Sequence, residues 1–464
     1  MSGALFPPDP VTRDAEDRLT ARLAEADRRV RAGKAVPDFD RAAFDAALAA
    51  MDFAQPRSLA ELCDWTIEQL EHGVVHMTHP RYLGLFNPAP SLPARLADRI
   101  VTTFNPQLAT ATTSPAAVAI EAHVTRAFAR RAGIGDAGAG HFTSGGSEAN
   151  ATALICALTA SAPGFAEHGS RAFAGTPTFY ISADSHLAWI KIAHAAGLGR
   201  SAARLVPTDA LGRINAAELA AMIGKDQADG AVPVMIVATA GTTNAGAIDD
   251  LAALRRIADD TGAWFHVDAA WGGALLVSDR LRPMLAGIHA ADSITIDAHK
   301  WLATTMGCGM ILVACPAILN QSFNVRTSFM PSHTPAADPY LTTLQWSRRF
   351  MGLRLFLALG AAGWPGYAAH VERAVGLGRR LAAGLERHGW RVVNDPAMAV
   401  VCAQPPDGPA PIRTIVARVL EEGQAWLSAA KFSGQDVVRA CVTHGQTSEA
   451  DIDLVVDILE RART

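Results

Sequence analysis

Several protein classes are excluded by what the chain does not contain. Its six cysteines, Cys63, Cys156, Cys308, Cys315, Cys402 and Cys441, are scattered through 464 residues with no Cys-x-x-Cys pair. That spacing argues against a zinc site or a disulfide framework and for reduced thiols in a cytoplasmic protein, with no metal expected. The first ten residues, Met-Ser-Gly-Ala-Leu-Phe-Pro-Pro-Asp-Pro, offer no basic stretch and no apolar run, so no signal peptide is expected. No uninterrupted apolar stretch reaches the ~18 residues of a membrane span. Charged residues make up 19% and the formal net charge is −4, which gives no reason to expect nucleic acid or a membrane as partner. What the chain does have is apolar mass: half its residues are hydrophobic, enough for a large packed core.

The pattern divides into three parts. Residues 1–86 read as a short helical N-terminal segment, in which Ser58 and Glu61 are placed to form a capping box. A proline-rich stretch from Asn87 to Pro93 breaks helix. Residues 87–362 alternate helices with short apolar strands, clearest at 178–182, 234–239, 264–268, 293–297 and 309–313. Continuous apolar strands between helices predict an α/β domain with a mostly parallel sheet covered on both faces. Residues 363–464 predict a small α+β domain, ending in a helix that begins near Ser448.

Four motifs carry chemistry. In Ser293-Ile-Thr-Ile-Asp-Ala-His-Lys-Trp, Lys300 follows a strand-like run. A lysine in such apolar surroundings favours the free amine that attacks carbonyls. In Trp264-Phe-His-Val-Asp-Ala-Ala-Trp, Asp268 ends a strand, where ligands of open α/β sheets collect, and a carboxylate there can keep a pyridine nitrogen protonated. Together they form the pattern of a Schiff-base lysine and its pyridinium partner, which points to pyridoxal 5'-phosphate (PLP). Thr143-Ser-Gly-Gly-Ser-Glu-Ala opens a long helix whose free N–H groups and the Ser147 hydroxyl suit a phosphate. His186, in Asp184-Ser-His, can lie against a cofactor ring, and Thr243 and Asn244 lie on a neighbouring strand-end loop. Each motif alone has a plain reading: a capped helix, an N-cap aspartate, a surface histidine, a solvated lysine. Their joint order outweighs those readings.

These motifs, with Gly241-Thr-Thr between them, resemble the group II PLP-dependent amino-acid decarboxylases over more than three quarters of the chain, from His79-Pro-Arg-Tyr to Val437-Val-Arg-Ala-Cys-Val. The resemblance implies the fold type I PLP architecture and a homodimer with the active site at the interface, the N-terminal segment taking part. It implies Lys300 as the internal aldimine, Asp268 on the pyridine nitrogen and His186 stacked on the ring. Gly146, Ser147 and His299 would bind phosphate, and Thr243 and Ala270 would line the ring. The implied reaction releases CO2 and an amine from an L-amino acid through an external aldimine and a quinonoid.

The same resemblance places four residues toward substrate. Arg439 matches an arginine that contacts substrate carboxylate in glutamate-decarboxylase-like relatives, although a surface arginine on an edge strand is an equally plain reading. Phe86 and Gln107 match pocket positions, and with Ala109 suggest a pocket more polar than that of a dopa decarboxylase. Phe329 falls where relatives carry a tyrosine implicated in protonation. Phenylalanine has no proton to give, which leaves decarboxylation-dependent oxidative deamination to an aldehyde open, with Tyr340 or His186 as other proton sources. An aminotransferase or lyase of the same fold is the third reading.

Overall fold

Strand-forming runs of Ile, Val, Phe and Met build the centre of the molecule, described by a computed structural model over residues 5–51, 53–135, 137–325, 327, 338–406 and 410–464. The strands are β1 (Ala139–Thr143), β2 (Thr176–Ser182), β3 (Ala203–Val206), β4 (Ala231–Thr239), β5 (Trp264–Asp268), β6 (Ser293–Asp297) and β7 (Gly309–Val313). They form one sheet in the order β1-β7-β6-β5-β4-β2-β3. All its strands run parallel except β7, which is antiparallel to both neighbours. Core positions of β2, β4, β5 and β6 are almost wholly buried, as a sheet covered by helices on both faces requires.

The register sets the site. Thr239 pairs with Asp268, Asp268 with Thr295, and Asp297 with Gly309, which in turn pairs with Thr143. The carboxyl ends of β1, β4, β5 and β6 therefore lie side by side. The helix Gly146–Ser161 starts at this edge, directly after β1.

The N-terminal helices are Asp9–Ala32, Arg41–Ala49 and Leu59–Gly73. Ser58 does occupy the N-cap of the third, but its side chain makes no capping bond, which corrects the expected box with Glu61. The box occurs instead at Ser448 and Asp451, which start the terminal helix Glu449–Arg463. The segment after the proline-rich loop leads into the helix Leu92–Phe104, and Leu353–Arg387 bends at Gly363 (φ 62°) just before Pro365. A second sheet follows, from β8 (Arg391–Val392), β9 (Val400–Gln404), β10 (Ser428–Phe432) and β11 (Gln435–Cys441), antiparallel throughout in the order β10-β11-β9-β8.

Candidate active site

A cavity of about 300 Å³ opens at the strand edge described above. Lys300, Asp268, His186, Gly146, Ser147, Thr243, Ala270, His299 and Phe86 all line it, joined by Ser144, Glu148, Asn150, Thr239, Trp271 and Asp297. One α/β sheet edge thus collects motifs spread between Thr143 and Trp301, together with Phe86 from well before them.

Lys300 stands three residues beyond the end of β6, in a turn that also places Ala303 in the left-handed region (φ 52°). Its Nζ lies 3.0 Å from Asp297 Oδ2 and 5.6 Å from the Phe86 ring centroid. The expected apolar setting is therefore corrected: a buried carboxylate faces the amine, because Asp297 ends β6 and the turn carries Lys300 back over it. Asp297 Oδ1 is buried with no hydrogen-bond partner among the described residues. His299 turns the other way, its Nδ1 3.0 Å from Cys308 O and its Nε2 3.9 Å from Asp297 Oδ2. Burial foremost lowers the His299 pKa, against the pull of Asp297.

Asp268 is held by three neutral donors. Asn150 Nδ2 and Trp189 Nε1 donate to Oδ2 at 2.8 and 3.3 Å, and the Ala270 amide donates to Oδ1 at 3.2 Å. An Asp with its carboxylate so fixed presents a defined acceptor face to the cavity. Across the cavity, the helix Gly146–Ser161 begins with the amides of Gly146 and Ser147, which precede the first helical bonds, the general condition for an anion site, while those of Glu148 and Ala149 donate back to Gly145 O. Glu148 in that turn does not block it. Its carboxylate accepts from Ser144 N at 2.7 Å and from Gln345 Nε2 at 2.8 Å. Gly146 is required by space: a Cβ there would sit 2.8 Å from Asp297 Oδ2.

His186 is exposed to the cavity and accepts from the Ala188 amide at Nδ1 (3.2 Å), so its ring proton lies on Nε2. Its pKa is lowered, first by desolvation and then by the charge of Lys300. Phe86 stacks on Trp271 (4.2 Å, 15°), which stacks on Trp301 (4.3 Å, 6°), so a stack of three aromatic rings ends on the residue after Lys300.

Arg439 lies behind Phe86, its guanidinium 4.9 Å from the ring centroid. It is buried, which removes the surface reading. Its Nε and Nη1 donate to the carbonyls of Thr243 (2.9 Å) and Gly84 (2.6 Å), while Nη2 is buried with no hydrogen-bond partner among the described residues. Gln107 is not a cavity wall. It is exposed and donates to Ser347 Oγ at 2.7 Å, because the turn after Leu92–Phe104 carries it outward. Tyr340 is buried against Trp346 (4.9 Å) and does not line the cavity either. Phe329 lies outside the described residues.

The residues present suit PLP. An amine stands at one wall, a fixed carboxylate at a second, and a helix start kept clear by a glycine at a third. Sequence reasoning missed Asp297 and Asn150, although Asp297 stood inside the lysine motif and Asn150 directly follows the Thr143–Ala149 motif. Their only signal was a polar residue at a position that a packed strand end or helix face must bury.

A family model for the pyridoxal-dependent decarboxylase conserved domain matches residues 48–404. The acidic amino acid decarboxylase GADL1 of Mus musculus is 29% identical over 427 residues, covering 87% of this chain and 76% of its own length. The cysteine sulfinic acid decarboxylase of Mus musculus is 34% identical over 340 residues, covering 71% of this chain and 68% of its own. The crystal structure of mouse CSAD in apo form superposes with a TM-score of 0.91 at 25% identity, over 98% of this chain and 100% of that one.

Proposed function

Because the chain belongs to the pyridoxal-dependent decarboxylase family, a class of PLP-dependent carboxy-lyases, we propose that it converts an L-amino acid to its amine and CO2 with Lys300 as the covalent anchor of the cofactor. The observation that carries this is the convergence of Lys300, Asp268, His186 and the Gly146 helix start on one cavity. When bound, PLP supplies an aldehyde that condenses with amines and a ring that accepts the electrons of a breaking Cα–carboxylate bond.

The chain's own residues then have separable tasks. Lys300 must give up its proton before Nζ can act, and Asp297 Oδ2, 3.0 Å away, is the acceptor in place. Asp268 holds a proton on the ring nitrogen through an acceptor face fixed by three donors. The amides of Gly146 and Ser147, with the Ser147 hydroxyl and His299, bind phosphate. Thr243 and Ala270 bound the ring edge, and His186 covers the ring face and carries a transferable proton on Nε2.

The substrate reading is an L-amino acid with an acidic side chain. A buried guanidinium whose partners among the described residues are two carbonyls and an aromatic face, with Nη2 unpaired, is costly unless an anion completes it, and Arg439 stands behind the cavity wall formed by Phe86 in that condition. The relatives named for acidic and sulfinic amino acids support the same class. The test is CO2 release from a panel of L-aspartate, L-glutamate, L-cysteine sulfinate and the aromatic L-amino acids. We expect turnover of the acidic members, none in Lys300→Ala, and a KM raised about tenfold in Arg439→Gln. Preference for aromatic substrates would refute the acidic class. Ammonia and hydrogen peroxide released with CO2 would replace amine formation by aldehyde formation.

We further propose a homodimer. The helix Leu92–Phe104 exposes Leu92, Leu96, Ile100 and Phe104 at four-residue spacing, an apolar stripe that a second copy of the chain would cover. Light scattering of the purified protein should give twice the chain mass, and a monomer would contradict the proposal. Among the described residues no single helix is long and apolar enough to cross a membrane, and all six cysteines are free, which supports a reducing, cytoplasmic setting.

A further inference from the structure

The alternation of a strand places Trp264, His266 and Asp268 on one face of β5, and pairing with β6 sets Ser293 beside His266. The polar atoms of these residues connect in a continuous chain. Trp264 Nε1 lies 2.8 Å from Ser293 Oγ, and Ser293 Oγ lies 2.8 Å from His266 Nδ1. His266 Nε2 lies 3.2 Å from Asn150 Oδ1, and Asn150 Nδ2 lies 2.8 Å from Asp268 Oδ2. Ser293 and His266 are wholly buried and Asn150 nearly so, so water does not supply the missing partners.

Both ends of this chain have fixed roles. An indole N–H only donates, and a carboxylate only accepts. Working back from Asp268, Asn150 must turn its NH2 toward the carboxylate, which points its carbonyl at His266. That carbonyl requires a proton on Nε2, so Nδ1 carries the lone pair and takes the Ser293 hydroxyl proton. Working forward from Trp264, the indole donates to the Ser293 oxygen and leaves that hydroxyl free to donate onward. The two derivations meet in one arrangement. The Thr295 hydroxyl, 3.4 Å from His266 Nε2, is a second acceptor for the same proton and agrees with it.

We infer that Trp264, Ser293, His266 and Asn150 form a hydrogen-bond relay of single polarity whose function is to position Asp268 for the cofactor. None of the four is itself a catalytic residue, and of them only Asn150 reaches the cavity. The relay fixes the rotamer of Asp268 from the far end of β5 and delivers a neutral donor to Oδ2, leaving the rest of the carboxylate for the ring. Burial pushes the His266 pKa down to about 4, so the imidazole stays neutral with one ring proton near neutral pH.

The inference rests on Asp268 being the residue that meets PLP, and the experiment separates the two. Nitrogen-15 NMR of the histidine-labelled, PLP-loaded protein reads the His266 tautomer directly. The expected result is protonation at Nε2 alone, unchanged between pH 8 and about 6. Protonation at Nδ1, or at both nitrogens, would overturn the relay while leaving the Asp268 assignment intact. Ser293→Ala removes the proton that holds Nδ1 as an acceptor. With Asn150 still requiring the proton on Nε2, it should keep that tautomer but loosen the relay, raising the PLP dissociation constant about tenfold, the scale of one lost buried hydrogen bond. Wild-type affinity in Ser293→Ala would overturn the positioning role. Asp268→Asn with wild-type PLP affinity would instead sink the assignment of Asp268. The NMR measurement uses the unaltered chain, so it decides even if a variant fails to fold.

Discussion

An amine 3.0 Å from a buried carboxylate attacks nothing until its proton leaves, so Lys300 cannot be understood apart from Asp297. Geometry, not the motif alone, shows the amine paired with a carboxylate. His186 bears on the next question, the source of a proton for the product. Desolvation, then Lys300, lowers its pKa, so it is neutral near pH 7 and protonates only below the ordinary histidine range. Replacing it with phenylalanine keeps a flat ring against the cofactor and deletes the proton. For His186→Phe we expect PLP affinity within about threefold of wild type and kcat lowered by about two orders of magnitude. Because the protonated ring is the donor, wild-type kcat should fall as pH rises through the lowered His186 range, and that fall should be absent from the variant. Equal kcat in the two proteins would assign protonation elsewhere. At this scale the sequence was informative where chemistry is rare. Lys300, Asp268 and His186 each have an ordinary structural use, and stood out through their joint order at strand ends. Gln107 did not reach the cavity because a turn, invisible to motif matching, set its direction. Asp297 was passed over because an aspartate ending a strand is ordinary until a lysine is seen folded back onto it.

Among elements, the helix Gly146–Ser161 matters most, since its first turn supplies the candidate phosphate site. Gly146→Ala should weaken PLP binding about tenfold, as the added Cβ, 2.8 Å from Asp297 Oδ2, pushes apart two walls of the cavity. Equilibrium dialysis measures the change, and unaltered binding would remove the helix start from the phosphate site. A harsher case is Gly84, where a Cβ would lie 1.6 Å from the Trp426 ring. Because Gly84 also offers its carbonyl to Arg439, Gly84→Ala should lower the thermal midpoint through overpacking of ~1–3 kcal/mol. A midpoint equal to wild type would contradict the packing described. The strands β5 and β6 were legible to the residue because their apolar runs ended at aspartates, and β7 because Gly309 opens its apolar run. β1 and β3 were not: Ala-Gly-His-Phe-Thr and Ala-Arg-Leu-Val are short and carry no run. The direction of β7 follows from distance. Only the turn holding Lys300 joins it to β6, too short for a parallel crossover.

Across the whole molecule, buried neutral histidines link stability to pH. Burial foremost lowers the pKa of His79 to about 4, His141 to about 3 and His266 to about 4. These groups take up protons more readily when unfolded. Their stability contribution is therefore complete above pH 6.5 and is lost as pH falls, by up to about 1.4 kcal/mol per pH unit for each. The thermal midpoint should drop steadily from pH 6.5 to pH 5, and a midpoint that rises over that range would contradict the burial of these rings. At this scale too, one assignment underlies the rest: the sheet edge is a PLP site with Lys300 at its centre. The chain contains four other lysines, Lys34, Lys191, Lys225 and Lys431. Borohydride reduction of the PLP-loaded protein, followed by peptide mass spectrometry, locates the covalently bound cofactor. The account predicts a pyridoxyl group on Lys300 alone. A pyridoxyl group on any of the other four, or on none, would contradict it.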